Sequence, residues 1–143
     1  LGYNYRMTNM QAAIGLAQME MLDEILALRR EQMDFYYEKL SNVDGISLRK
    51  YADWCDPVHW MMTLMLADKY NRDDFLLYMK DSGIDCRQMI NPIHQAEHFQ
   101  KLVNVNLLKN SKNISERSIH LPSSTLLNRS KINKISSIIK KYL

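Results

Sequence analysis

Apolar residues recur at three- and four-residue steps from Thr8 almost to Val43, and this run sets the first limit on the fold. Met10, Ala13, Ile14, Ala17, Met21, Leu22, Ile25, Leu26 and Leu28 keep the period of a helix rather than a strand. Thr8 and Gln11 match a capping box, in which hydroxyl and side-chain amide satisfy each other's backbone groups. Gly15 inside the run predicts close packing against another backbone. Asp44-Gly45 ends it. A single helix over 8–43 is long for its domain and is expected to join that domain to something larger.

The rest of the chain alternates shorter elements. Strands are predicted at 46–50, at 58–66, the strongest candidate, and at 84–90, closed by Asn91-Pro92. Asn71 caps a predicted helix over 72–82, with Asp73 and Asp74 where the helix dipole favours acids and Gly83 as its stop. A short helix is expected over 95–102, then loop or weak helix over 104–113 and one helical turn over 115–118. Ile119 to Leu121 reads as a short extended piece before Pro122. Asn128 caps a final helix with Ile132, Ile135, Ile138, Ile139 and Leu143 on one face. This order predicts an α+β fold, a small antiparallel sheet with flanking helices over one face. Residues 1–43 form a leading segment and long helix, and 44–143 a small domain.

The length of 143 residues suits one such domain. The longest apolar stretch, 60–67, is interrupted by Thr63 and falls far short of the ~20 residues of a spanning helix, so no membrane partner is expected. Cys55 and Cys86 make no disulfide framework, and a cytoplasmic setting is the expectation. Charge is uneven. The first 100 residues carry 10 Lys and Arg against 15 Asp and Glu, and the last 43 carry 9 against Glu116 alone. A basic tail raises the alternative of a non-catalytic interaction module or a nucleic-acid-binding one. Lys131, Lys134, Lys140 and Lys141 flank an Ile stripe, however, which is the solvated face of an amphipathic helix, and Tyr142 is the one aromatic there. No nucleic-acid partner is therefore expected. Cys55/His59 and His94/His98 are i, i+4 pairs, but zinc needs three or four converging ligands and Pro57 breaks the first pair, so no metal is expected. Cys55 and Cys86 also lack an orienting acid for nucleophilic work. Of the ten methionines, Met19, Met21, Met61, Met62 and Met65 lie in apolar runs and, with Trp60 and Tyr78, read as core packing.

The opening segment is the most specific. In an extended Gly2-Tyr3-Asn4-Tyr5-Arg6, alternate side chains share a face, so Asn4 goes with Arg6 and Tyr3 with Tyr5. An amide donor and a guanidinium fork just before a helix amino terminus suit a phosphate or carboxylate. On residue types alone, the same segment is a pre-helix turn with a surface arginine. Arg87 ends a predicted strand and His94 follows Asn91-Pro92, which places both on one rim, where arginine can grip an anion at two points. Their bland reading is a surface arginine and a packed or solvated histidine.

Gly2 to Gln18, then Val58-His59-Trp60-Met61, Gly83-Ile84-Asp85-Cys86-Arg87, Asn91-Pro92-Ile93-His94 and Leu121-Pro122-Ser123, closely resemble the DegT/DnrJ-type sugar aminotransferases, their perosamine-forming members in particular. The matches keep the family's order over nearly the whole chain. The resemblance implies the C-terminal small domain of a fold-type I aminotransferase, whose complete form is α/β and a homodimer with shared sites. It implies pyridoxal 5'-phosphate as cofactor, glutamate as amino donor and a 4-keto-6-deoxy sugar nucleotide as acceptor. Asn4 would reach the cofactor phosphate of the partner subunit, and Arg6, Arg87 and His94 would meet substrate. The family's cofactor-bearing lysine lies upstream of the Gly-Tyr-Asn-Tyr-Arg motif, and no lysine here sits in its place. The chain is thus expected to be a fragment, catalytically inactive alone. Gln88 and Met89 stand where the family often has proline and an aromatic, which leaves the sugar open.

Overall fold

A computed structural model describes residues 2–100 and 108–143. The far end of the expected 95–102 helix, and the start of the 104–113 segment, lie outside the described residues. The chain begins as an arm outside regular secondary structure and enters α1 (Asn9–Glu20), followed by α2 (Leu22–Leu40). The capping box at Thr8 is formed: its hydroxyl accepts from Gln11 N at 3.3 Å, and its amide donates to Gln11 Oε1 at 2.9 Å.

The single predicted helix is in fact two. At Met21 (φ −101°, ψ 4°) the backbone leaves the helical basin, and its amide donates to the Gln18 carbonyl three residues back. Neither glycine nor proline marks the break, so the apolar period runs through it. Asp23 and Glu24, in the first turn of α2, are the trace of a new amino terminus. Gly15 has no close neighbour among the described residues: a Cβ there would meet nothing within 4 Å. Every described residue up to Glu24 is exposed, Met10, Ile14 and Met19 included. Only from Gln32 does α2 enter the core, through Met33, Phe35, Tyr36 and Leu40.

Four strands follow: β1 (Ile46–Leu48), β2 (Met62–Leu66), β3 (Arg87–Gln88) and β4 (Ser118–Leu121). They form one sheet in the order β1-β2-β4-β3, every pair antiparallel. The short extended piece at 119–121 is therefore an inner strand, buried at all four positions. Leu64 lies opposite Ile119 and Met62 opposite Leu121, so one face is continuous and apolar. Helices α3 (Arg72–Asp81) and α6 (Arg129–Tyr142) join α2 over it, adding Phe75, Met79, Ile132, Ile135 and Ile139 to one core. Thr63 and His120 pair on the reverse face. The third predicted strand shrinks to two residues, because Ile84 turns into the core and Ile90 is exposed. A 3₁₀ turn (Ile93–Gln95), α4 (Glu97–Gln100) and α5 (Lys109–Arg117) fill the path to β4.

Two glycines occupy the left-handed region. Gly83 (φ +77°) closes α3, and Gly45 (φ +90°) turns the chain into β1 beneath the Tyr70 ring. The loop from β4 to α6 is held from α2. Gln32 Nε2 donates to the Ser124 and Leu127 carbonyls, each at 2.9 Å, and the Tyr36 hydroxyl to the Pro122 carbonyl at 3.0 Å. Burial pushes the Tyr36 hydroxyl far above the usual phenol range, which keeps it a donor. No helix among the described residues is long and apolar enough to cross a membrane.

Candidate functional site

The arm brings Asn4 and Arg6 together. Asn4 Oδ1 accepts from the Arg6 amide at 3.0 Å and from Arg6 Nε at 3.4 Å, while the Tyr3 and Tyr5 rings face each other with centroids 6.0 Å apart. The local turn uses the carbonyl oxygen of Asn4 and one guanidinium nitrogen. The Asn4 amide nitrogen and the outer guanidinium nitrogens have no partner among the described residues. These are donors only, and the amino terminus of α1 follows at Asn9, with its own positive end of the dipole. The arrangement is chemically suited to an anion brought from outside this chain.

Arg87 is the first residue of β3. It pairs with Asp85 at 2.7 Å, both side chains being exposed. It lines a cleft of about 630 Å³ where β2 starts, β4 ends and the first turns of α6 pass. His94, in the 3₁₀ turn, is half-buried and is not among the residues of that cleft. The structure thus joins Asn4 to Arg6, and it places Arg87 but not His94 on the cleft.

The cleft draws in residues that the sequence reading passed over. Trp60 is 62% exposed at its rim rather than core, and Lys131 and Lys134 face it from α6. Met19 and Met21 are likewise exposed, whereas Met62 is core. The one signal that separates Met62 from them is its place in a period-two strand, with Leu64 and Leu66 on the same face. Nearby, burial followed by the Asp85 charge pushes the Cys86 thiol up to about 12, which keeps it un-ionised and unreactive at neutral pH.

Comparison with known proteins agrees with the motif. The family model of the DegT/DnrJ/EryC1/StrS aminotransferases matches residues 1–140. GDP-perosamine synthase of Vibrio cholerae is 28% identical over 99% of this chain, and that of Caulobacter vibrioides 30% identical over 100%. In each case the chain spans 39% of the relative's length. Among solved structures, the sugar aminotransferase CalS13 from Micromonospora echinospora superposes with a TM-score of 0.87 at 25% identity, over 99% of this chain and 37% of that one. DesV of S. venezuelae gives a TM-score of 0.88 at 22% identity, over 99% and 38%, a likeness of fold. With a small antiparallel sheet, helices over one face and the motif that opens the arm, the chain belongs to the DegT/DnrJ/EryC1/StrS aminotransferase family.

Proposed function

We propose that the chain is the C-terminal part of a pyridoxal-phosphate-dependent enzyme that moves an amino group from glutamate to a 4-keto-6-deoxy sugar nucleotide, and that it works as a homodimer with shared sites. The observation that carries this reading is the arm. Asn4 and Arg6 sit together on it with unpartnered donors, ahead of a capped helix, and lie far from this chain's own core. Donors displayed in that way serve a site on another surface.

The donor set fits the cofactor's phosphate. Asn4 would hold that group through its amide nitrogen, and Arg6 would meet the anionic part of the substrate beside it. When bound, pyridoxal phosphate supplies an electron sink for the transfer of the amino group. This chain's residues contribute binding and orientation. Arg87 fixes an anionic group from the cleft side, and His94 offers a ring nitrogen to a hydroxyl. No residue of the chain takes the role of the family's lysine, so the chain alone is expected to be inactive.

The test compares the 143-residue chain with a version extended upstream by the coding sequence that precedes Leu1. With pyridoxal phosphate added, the extended protein should show the absorbance band of bound cofactor and form 2-oxoglutarate from glutamate and a keto-sugar nucleotide. Asn4→Ala in the extended protein should weaken cofactor retention about tenfold or more, the weight of one charge-assisted contact. A bound-cofactor band from the short chain by itself would overturn the reading.

A further inference from the structure

The segment between β1 and β2, residues 49–61, contains no helix, no strand and no buried residue. It is nevertheless fastened along α2. Arg30 Nη2 donates to Asp56 Oδ1 at 3.0 Å in an exposed pair, the Tyr37 hydroxyl donates to the Arg49 carbonyl, and the His59 ring lies in the field of Asp34. Arg30, Asp34 and Tyr37 stand at i, i+4 and i+7, so they form one stripe of the helix. Within the segment the Arg49 guanidinium sits 4.7 Å from the centroid of the Tyr51 ring. That ring meets the His59 ring edge-on, with centroids 5.6 Å apart. The segment is a strap, held to one helix face by polar and ring contacts, with no residue packed into the core. Segments of this kind open at low cost.

His59 is the strap residue turned inward. Val58 and Trp60 on either side of it are 76% and 62% exposed, whereas its Nδ1 is buried without a partner. While the ring is neutral, with its proton on Nε2, Nδ1 is a bare lone pair. Protonation makes it a bare N–H on a charged ring, which burial penalises far more. The charged groups around the ring are Asp34 and Arg30 of α2 and Asp56 of the strap itself. The two carboxylates favour the imidazolium and Arg30 opposes it, but Asp56 is already engaged by Arg30. Burial is the largest influence and outweighs the carboxylates, so the His59 pKa lies below the usual 6.5.

We infer that the 49–61 strap is an acid-released latch: the neutral His59 ring seats it on α2, and protonation of that ring lifts it away. The sign follows from linkage. A histidine whose pKa is lowered in the seated state stabilises that state fully above about 6.5, and the support is lost as pH falls toward the lowered value. The consequence reaches the cleft beside Arg87, because the strap runs straight into Trp60 and Met61 of its lining. A lifted strap carries the indole off the rim. The latch stands independently of the transamination reading, since it rests on contacts between the strap and α2.

Limited proteolysis of the 143-residue chain by papain tests it, with cuts inside 49–61 identified by mass spectrometry. Wild type is compared with His59→Gln at each pH from 7.5 down to 5, so that the protease's own pH dependence cancels. The ratio of strap cleavage, wild type over His59→Gln, should be near one at pH 7.5 and rise about fivefold or more at pH 5. Its midpoint should lie below 6.5 and coincide with the His59 ring titration followed by NMR. Asp34→Asn removes a carboxylate that favours the imidazolium and should move both midpoints lower. His59→Lys, charged throughout, should be cut fast in the strap at pH 7.5 while circular dichroism keeps the folded signal. A ratio that stays near one down to pH 5 would overturn the latch. A His59 midpoint at or above 6.5 would overturn it too, because the carboxylates would then hold the imidazolium and acid would tighten the strap.

Discussion

His120 shows how one strand position sets a titration. It is buried on the reverse face of the sheet, and desolvation lowers its pKa from the usual 6.5. The sign follows from proton counting. Between the folded and unfolded pKa values the unfolded chain binds more protons, so stability rises with pH there. Its contribution is complete above about 6.5 and is lost as pH falls from there toward the lowered folded value. Burial lowers His59 as well, in the same direction. Thermal unfolding followed from pH 7.5 down to 5.5 should therefore show a falling midpoint. His120→Gln should flatten that slope, whatever it does to the midpoint at pH 7.5. An unchanged slope would mean that the imidazole is solvated. At this scale the sequence was legible where geometry is local. Alternation along an extended segment put Asn4 with Arg6, and the Thr8–Gln11 spacing gave the cap. It was not legible for Trp60, whose apolar neighbours Met61 and Met62 suggested a strand already under way. The strand begins at Met62, and the indole stays outside it.

Elements were readable in proportion to their length and their caps. Asn71, whose side chain accepts from the Asp73 and Asp74 amides, and Gly83 bracket α3 almost at the predicted ends. Asn128 does the same for the start of α6. The inner strand β4 was understated because four residues with a serine and a histidine among them give no period of their own. Its place comes from the register with β2, a long-range fact. The break at Met21 was invisible because apolar residues continue on both sides of it. Turn chemistry offers a comparison of two glycines. Gly45 has positive φ, and a Cβ there would lie 2.7 Å from Tyr70 Cε2. That ring is anchored, since its hydroxyl donates to the Leu143 carbonyl at 2.6 Å. Gly83 also has positive φ, but a Cβ there would meet nothing within 4 Å. Gly83→Ala should cost about 1 kcal/mol, the left-handed strain alone. Gly45→Ala should cost about 3 kcal/mol, strain plus displacement of a packed ring. Urea unfolding of both variants reads the difference, and equal losses would show that Tyr70 yields freely.

The whole molecule is a compact sheet-and-helix body with an arm and a helix projecting from it. No described residue before Gln32 is buried, whereas the core from Met33 to Ile139 is closed on itself. Removal of residues 1–20 should therefore leave the thermal midpoint within about 2 °C, as expected when no core contact is lost. A fall of more than about 5 °C would show that α1 supports the body. The same deletion should raise solubility, because Met10, Ile14, Leu16 and Met19 leave the surface with it. The apolar period of the leading helix was plain in the sequence, but its partner was not. A period marks a face suited to burial, and among the described residues this face stays exposed.

The hold of α2 on the β4–α6 loop has a mechanical meaning. Gln32 and Tyr36 lie one helical turn apart and grip three carbonyls of a loop whose residues also line the cleft. The loop is therefore tied to α2, and Ser123 Oγ, which accepts from the Met62 amide at 3.0 Å, ties it to β2 as well. The same helix carries α1 and, through it, the arm. The arm with Asn4 and Arg6 and the wall of the cleft are thus both attached to α2, one across the break at Met21 and the other by side-chain hydrogen bonds.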